Sequence, residues 1–144
     1  MNEAINFKGR FELTVTDLSG NVLEHYVDKN LVVNAGRTVV MQLLGTAPSP
    51  KRIAKLSVGT NGTAPDGADT TITNSFAKNL TGLSFPTISS IRFDWILGAG
   101  EANGILIKEF GLMTADDTLF ARKVREGINK NSDIILNGNW TISF

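Results

Sequence analysis

Apolar and polar residues alternate along two stretches near the start of the chain, residues 11–16 and 22–27. A period of two is the pattern of a β-strand with one buried face. Residues 17–21 separate the stretches and include Gly20 and Asn21, which both tolerate the positive φ angles of tight turns. The pattern therefore predicts a β-hairpin.

The next segment has helical spacing. Apolar residues recur every three or four positions between Ala35 and Leu44. Asn34 is a suitable N-cap residue, and Gly45 suits the C′ position. We expect one short amphipathic helix that plugs one end or one open face of a β core.

Strand patterns return in the remainder of the chain, separated by turn-rich segments. They cover residues 53–59, 91–97, 105–113, 119–124 and 136–144. In the last stretch, Leu136, Trp140, Ile142 and Phe144 share one face. The sequence predicts an all-β fold, an antiparallel β-sandwich or jelly-roll-like barrel of about eight strands with one short α-helix. We expect a single domain over residues 1–144, with residues 1–9 as an N-terminal arm.

Composition narrows the function. The 14 basic and 14 acidic residues balance, so the basic excess expected of a nucleic-acid binder is missing. The absence of cysteine excludes disulfides, thiolate metal sites and cysteine nucleophiles. No run approaches the roughly 18 apolar residues of a membrane-spanning helix. We expect neither nucleic acid nor membrane as a partner.

Candidate chemical sites are weak. His25 is the single histidine, and no nucleophile motif surrounds any serine. Asp66 and Asp69 could contribute to a calcium or magnesium site, but Pro65-Asp66-Gly67 also has ordinary turn chemistry. Carboxylates at Asp94, Glu101 and Glu109 fit the wet faces of strands better than a glycosidase pair. We expect no enzyme activity, no cofactor and no metal.

Two polar segments remain as contact surfaces. The loop from Gly59 to Thr70 is long for a compact domain, and such loops often contact a partner or are simply solvated. Arg122, Lys123 and Arg125 form a basic cluster, which could meet an acidic partner or lie on a solvated strand face.

Several short segments follow one another in a recognisable order: Leu31–Arg37, Leu56–Thr60, Thr63–Pro65, Asp69–Thr70, Ile107–Met113, Leu119–Arg122, Ile128–Lys130 and Trp140–Phe144. This order resembles a family of small structural proteins of tailed bacteriophages and prophages, and the resemblance covers about residues 30–144. It implies a β-rich module that assembles on a virus particle, and it carries over no catalytic residue.

The leading hypothesis is a capsid decoration (cement) protein in the virion, assembled in the host cytoplasm as a homo-oligomer such as a trimer. Its partners would be other virion proteins, the major capsid protein or tail proteins. The candidate contact residues are Ile5, Phe7, Asn61, Pro65, Asp66, Asp69, Arg122, Lys123 and Arg125. The alternative is a tail, baseplate or fibre-attachment protein. A carbohydrate-binding host-recognition module would need exposed aromatic platforms beside carboxylates, whereas the aromatics here alternate inward.

Overall fold

The computed structural model describes residues 6–45 and 49–144. Its elements in chain order are β1 Lys8–Asp17, β2 Val22–Val32, α1 Asn34–Gly45, a 3-10 turn Ser49–Lys51, β3 Ile53–Gly59, β4 Phe76–Asn79, β5 Gly82–Thr87, β6 Ser90–Leu97, β7 Leu106–Thr114, β8 Leu119–Asn129 and β9 Ile134–Ser143. The all-β prediction with one short helix is confirmed. Within the described residues there are nine strands, one more than the sequence predicted.

The strands form one antiparallel sheet that curls into a half-barrel, in the order β4-β3-β7-β8-β2-β1-β9-β6-β5. Strand β2 belongs to both halves of this sheet. Its residues 22–30 pair with β1, and only Leu31 and Val32 pair with β8. The two halves therefore share a narrow backbone connection, while their inner faces enclose the core.

Aromatic rings fill the centre of the core. Phe11 lies 5.1 Å from Trp140, 4.8 Å from Phe110 and 5.9 Å from Trp95 between ring centroids. All four side chains are buried, as the alternation in the sequence predicts for them. Phe144 differs, because it is 64% exposed although its parity places it on the inward face of the last strand.

Helix α1 packs against the start of β8 near one end of the half-barrel. A Cβ atom added to Gly36 would lie 2.2 Å from the carbonyl oxygen of Phe120, so the helix and strand backbones approach too closely for any other residue. The N-cap prediction is wrong by one position. The Val33 carbonyl accepts the first helical hydrogen bond from Arg37, which makes Asn34 the first residue of the helix.

The loop between β3 and β4 covers the outer face of the β7–β8 half. Ile72 from this loop packs with Val33, Met113 and Leu119 in a second, smaller apolar cluster. Because the main core covers the inner face of β7 and this loop covers the outer face, β7 is buried on both sides, as its nearly continuous apolar sequence predicts.

Candidate functional site

An apolar groove of about 420 Å³ lies at the end of the half-barrel where α1 packs. Val40 and Leu43 of the helix form one wall, and Leu83 and Phe85 of β5 form the opposite wall. Core residues, Phe93 among them, line its base. The groove exists because the curled sheet does not close into a full barrel. Strands β4 and β5 are the two edges of the sheet, and helix α1 covers only part of the opening between them.

The rim of this groove exposes large apolar side chains. Phe85 is 71% exposed, and Leu83, Ile88 and Phe144 are also exposed. Monomeric proteins rarely leave such side chains together in water, and an exposed contiguous apolar patch marks a site of interaction. Below, the name apolar groove refers to this cavity together with its rim residues Leu83, Phe85, Ile88 and Phe144.

The arm residue Phe7 belongs to the same surface. Its ring meets that of Phe144 edge-to-face at 5.8 Å between centroids, and it lines the apolar groove. Phe144 is held beside the β5–β6 turn by a hydrogen bond from its backbone N–H to the Ser89 carbonyl. The other arm candidate, Ile5, lies outside the described residues.

Arg122 is buried, although the neighbouring basic residues in the sequence suggest an exposed position. It is 1% exposed, so a partner on the protein surface cannot reach it as the sequence hypothesis required. Its guanidinium donates to Glu109 Oε1 at 3.0 Å, to Asp69 Oδ2 at 2.9 Å and to the Asn61 carbonyl at 2.9 Å. The arginine therefore ties the covering loop to the sheet.

Glu109 completes this attachment from β7. It is fully buried, and its Oε2 accepts hydrogen bonds from the backbone N–H groups of Asn61 and Thr73 at 2.7 and 3.2 Å. A buried carboxylate with one cation and two amide donors is the arrangement that compensates the loss of hydration. Glu109 is thus a structural residue that fixes both ends of the loop.

Lys123 and Arg125, the other two basic residues of the cluster, connect β8 to β2 through side chains where the two strands no longer pair through their backbones. Lys123 Nζ lies 2.6 Å from Asp28, and Arg125 holds Glu24 through two hydrogen bonds of 2.9 and 3.2 Å. Both cations also lie against the Tyr26 ring, at 5.5 and 4.7 Å from its centroid. The Lys123 ammonium lowers the pKa of Asp28 to about 2. These side chains bridge the two halves of the sheet.

The tip of the covering loop remains exposed. Pro65 and Asp66 lie at the surface, and Asp66 accepts a hydrogen bond from the Ala68 N–H at 2.8 Å, which is ordinary turn chemistry. Asp69 is paired with Arg122. Among the described residues, no group of three histidine or acidic side chains is placed to hold a metal ion.

The other acidic residues considered for catalysis, Glu101 and Asp94, form ion pairs with neighbouring basic side chains. Glu101 lies 2.7 Å from Lys78 and accepts the Gly98 N–H, and the hydrogen bond from Lys78 lowers the pKa of Glu101. Asp94 accepts from Arg92 Nε at 2.9 Å. His25 is exposed and lies 3.0 Å from Glu12, and this contact lowers the pKa of Glu12.

A second groove, of about 460 Å³, lies on the outer face of the β1–β9–β6 part of the sheet. Polar side chains line it, Thr14 and Glu12 from β1, Asn137 and Asn139 from β9, and Asp94 from β6. The sequence shows the polar face of each strand, but not that these faces form a groove. We call this surface the polar groove.

In the part of the chain that the structure covers, no helix is long and apolar enough to cross a membrane. Comparisons with protein-family models, with curated proteins and with solved structures found no match.

Proposed function

We propose that this chain is a structural protein of a tailed bacteriophage particle, a capsid decoration protein that binds between capsid subunits and strengthens the head. The apolar groove is the observation that carries this proposal. Its position at an unclosed end of the half-barrel gives a neighbouring protein both a cavity to fill and projecting side chains to bury. The order of short segments that resembles phage structural proteins supports the identity of that neighbour.

The energetics favour repeated attachment. Burying a fully exposed large apolar side chain contributes about 1.5–3 kcal/mol. Three of the four rim residues are already partly covered, so together the four supply at most roughly 6–12 kcal/mol. Association costs an estimated 4–15 kcal/mol in lost freedom, so one such contact alone gives modest affinity. Several copies held together around a symmetry axis of a shell would bind far more tightly. A decoration protein that acts as a homo-oligomer, such as a trimer, meets this requirement.

The formal charge of the chain agrees with dense packing. Its 14 basic and 14 acidic residues cancel, so neighbouring copies do not repel one another at long range. The basic residues Lys123 and Arg125 are paired within the chain and leave the apolar groove as the stronger contact surface.

The test combines a variant with a copy count. Phe85→Ser/Ile88→Ser removes two rim side chains. Leu18→Ser/Leu23→Ser is the control, because these two leucines are also large, apolar and more than half exposed but lie near the β1–β2 turn. Purified heads lacking the protein are incubated with each variant, and bound copies are counted by quantitative mass spectrometry. We expect wild type and control to bind in hundreds of copies and the rim variant to lose at least about tenfold in affinity.

Two outcomes would contradict the proposal. Finding the protein in purified tails and not in heads would assign it to the tail, baseplate or fibre attachment. Equal binding of the rim variant and the control would remove the apolar groove as the contact surface.

A further inference from the structure

Lys130, directly after β8, is a buried lysine whose direct partners are all neutral. It is 2% exposed, and among the described residues no carboxylate pairs with it. Its Nζ donates to Asn103 Oδ1 at 2.9 Å and to the Asn131 carbonyl at 3.0 Å. Burial without an ion pair disfavours a charged ammonium, so this site favours the neutral amine more than water does.

The charges around this amine suit a proton transfer. Burial lowers the pKa of the Lys130 ammonium, and the negative charge of Glu101 opposes this shift without cancelling it. Hydrogen bonds from Lys78 and from the Gly98 N–H lower the pKa of Glu101, so this carboxyl is ionised at neutral pH. A desolvated amine is a nucleophile, and an ionised carboxylate near it can act as a general base.

The β6–β7 connection presents the Asn103 side-chain amide to Lys130. The amide is held at both ends, because its Nδ2 donates to the Ala99 carbonyl at 2.9 Å while its Oδ1 accepts from Lys130. Ala102 is buried in the main core with a φ of 56°, a conformation that costs energy for a residue other than glycine. The connection therefore fixes the amide carbon one bond beyond the oxygen that the lysine contacts.

We propose that Lys130 and Asn103 form an intramolecular amide cross-link. The neutral Lys130 Nζ attacks Asn103 Cγ, the Cγ–Nδ2 bond breaks, and Nδ2 leaves as ammonia. Glu101 accepts the proton that the attacking amine loses, directly or through one water, and returns it to the departing nitrogen. Atoms and charge balance without a cofactor or an oxidant. This inference does not depend on the role of the apolar groove, because it concerns contacts within the fold.

The cross-link would tie the β6–β7 connection to the turn after β8. Its two residues are 27 positions apart, so the bond closes a loop that contains all of β7 and β8. Closing a loop restricts the unfolded chain as a disulfide does, in a chain that has no cysteine. For a loop of this length, the linked form should melt roughly 10 °C above the unlinked form.

A competing reaction at Asn103 releases the same ammonia. In an Asn-Gly sequence, the backbone nitrogen of the glycine can attack the asparagine side chain and form a succinimide. Here the Gly104 N–H donates to the Lys130 carbonyl at 2.9 Å, so that nitrogen is already engaged while the lysine amine lies against the amide. Both products have the same mass, and they differ in which nitrogen is bonded to Cγ.

The experiment follows the intact mass of the purified full chain during incubation at mildly alkaline pH, where more of the Lys130 amine is neutral. The linked chain is lighter than its sequence by one ammonia. The amide also removes the trypsin site at Lys130, so the digest should contain a branched peptide that joins residues 93–108 to residues 126–144. Hydroxylamine cleaves a succinimide and leaves the cross-link intact.

Three variants separate the roles of the residues. Lys130→Arg keeps the positive charge, but a guanidinium is not a nucleophile, so neither the mass loss nor the branched peptide should form. Glu101→Gln removes the base and keeps an oxygen for its hydrogen bonds, so linking should slow at least about tenfold. Lys108→Arg is the control and should link as wild type does, because it changes a lysine in β7 and keeps the same trypsin site.

A wild-type chain that stays unlinked throughout the incubation would overturn the proposal. The same holds for a mass loss that persists in Lys130→Arg or that hydroxylamine converts into cleavage at Asn103. Linking of Glu101→Gln at the wild-type rate would remove Glu101 as the base. A branched peptide in wild type supports the proposal directly, even where a variant fails to fold.

Discussion

Replacing Arg122 with methionine tests whether the buried cation holds the covering loop on the sheet. The change keeps much of the side-chain volume and removes three hydrogen bonds, to Glu109, Asp69 and the Asn61 carbonyl. It leaves the Glu109 carboxylate fully buried without its cation. Breaking a buried ion pair in this way costs about 3–5 kcal/mol, a large share of the usual 5–15 kcal/mol of a domain. For a chain of this size, the melting temperature should fall by roughly 10–15 °C.

Chemical denaturation and hydrogen exchange measure this effect together. The Asn61 and Thr73 amides, which donate to Glu109, should exchange faster in Arg122→Met than in wild type. Arg92→Met is the matched control, because its pair with Asp94 is exposed and should contribute at most about 1 kcal/mol.

A double variant, Glu109→Gln/Arg122→Met, should be less destabilised than the sum of its two single variants, since the unpaired charge is gone. Stability within about 1 kcal/mol of wild type for Arg122→Met, with unchanged exchange of the loop amides, would refute the reasoning.

Two further predictions concern acid stability and helix packing. Hydrogen bonds from Lys123, from the Lys29 N–H and from Tyr26 together lower the pKa of Asp28 from 3.8 to about 2. These contacts stabilise the fold above pH 3.8, and their contribution is lost as the pH falls toward 2. Asp28→Asn should therefore show a shallower loss of stability over that interval, and an unchanged slope in acid titrations followed by circular dichroism would contradict this. Gly36→Ala should cost about 1–3 kcal/mol because its Cβ would meet the Phe120 carbonyl, whereas a Cβ at Gly45 meets nothing within 4 Å. Equal melting temperatures for Gly36→Ala and Gly45→Ala would disprove that close contact.

Most of the fold could be predicted from the sequence, because the spacing of apolar residues indicates which face of a strand or helix is buried. The β1–β2 hairpin, the helix, β6 and β9 have alternating or helical patterns. β7 is instead a nearly continuous apolar run, and β8 begins with three apolar residues. Strands β4 and β5 escaped prediction for a physical reason. Both are short edge strands. β5 contains Pro86 and is mostly exposed, and β4 spans only four residues, too few to show a pattern although its Phe76 packs against the core.

The surfaces were harder to predict than the strands. A cluster of three basic residues suggests an exposed patch. Arg122 is nevertheless buried, because it pairs with Glu109, 13 residues earlier in the chain, and with Asp69 of the covering loop, 53 residues earlier. The aromatic residues of the core were predicted from alternation, whereas the apolar groove depends on how the sheet fails to close. The lone signal in the sequence for that groove was the run of apolar residues at 83, 85 and 88 among turn-forming neighbours.

The pairing of β1 with β9 has a consequence for how the chain reaches its native state. Lys8 pairs with Ser143 and Asp17 with Ile134, so strands from opposite ends of the described chain lie side by side over ten residues. A growing polypeptide on the ribosome cannot form this ladder until residues 134–143 have been made, and until then β1 and β6 each lack their shared neighbour. Such long-range closure slows folding and leaves unsatisfied edges open to self-association. A lower concentration of newly made chains during expression should therefore raise the yield of soluble protein, because self-association of the open edges depends on concentration.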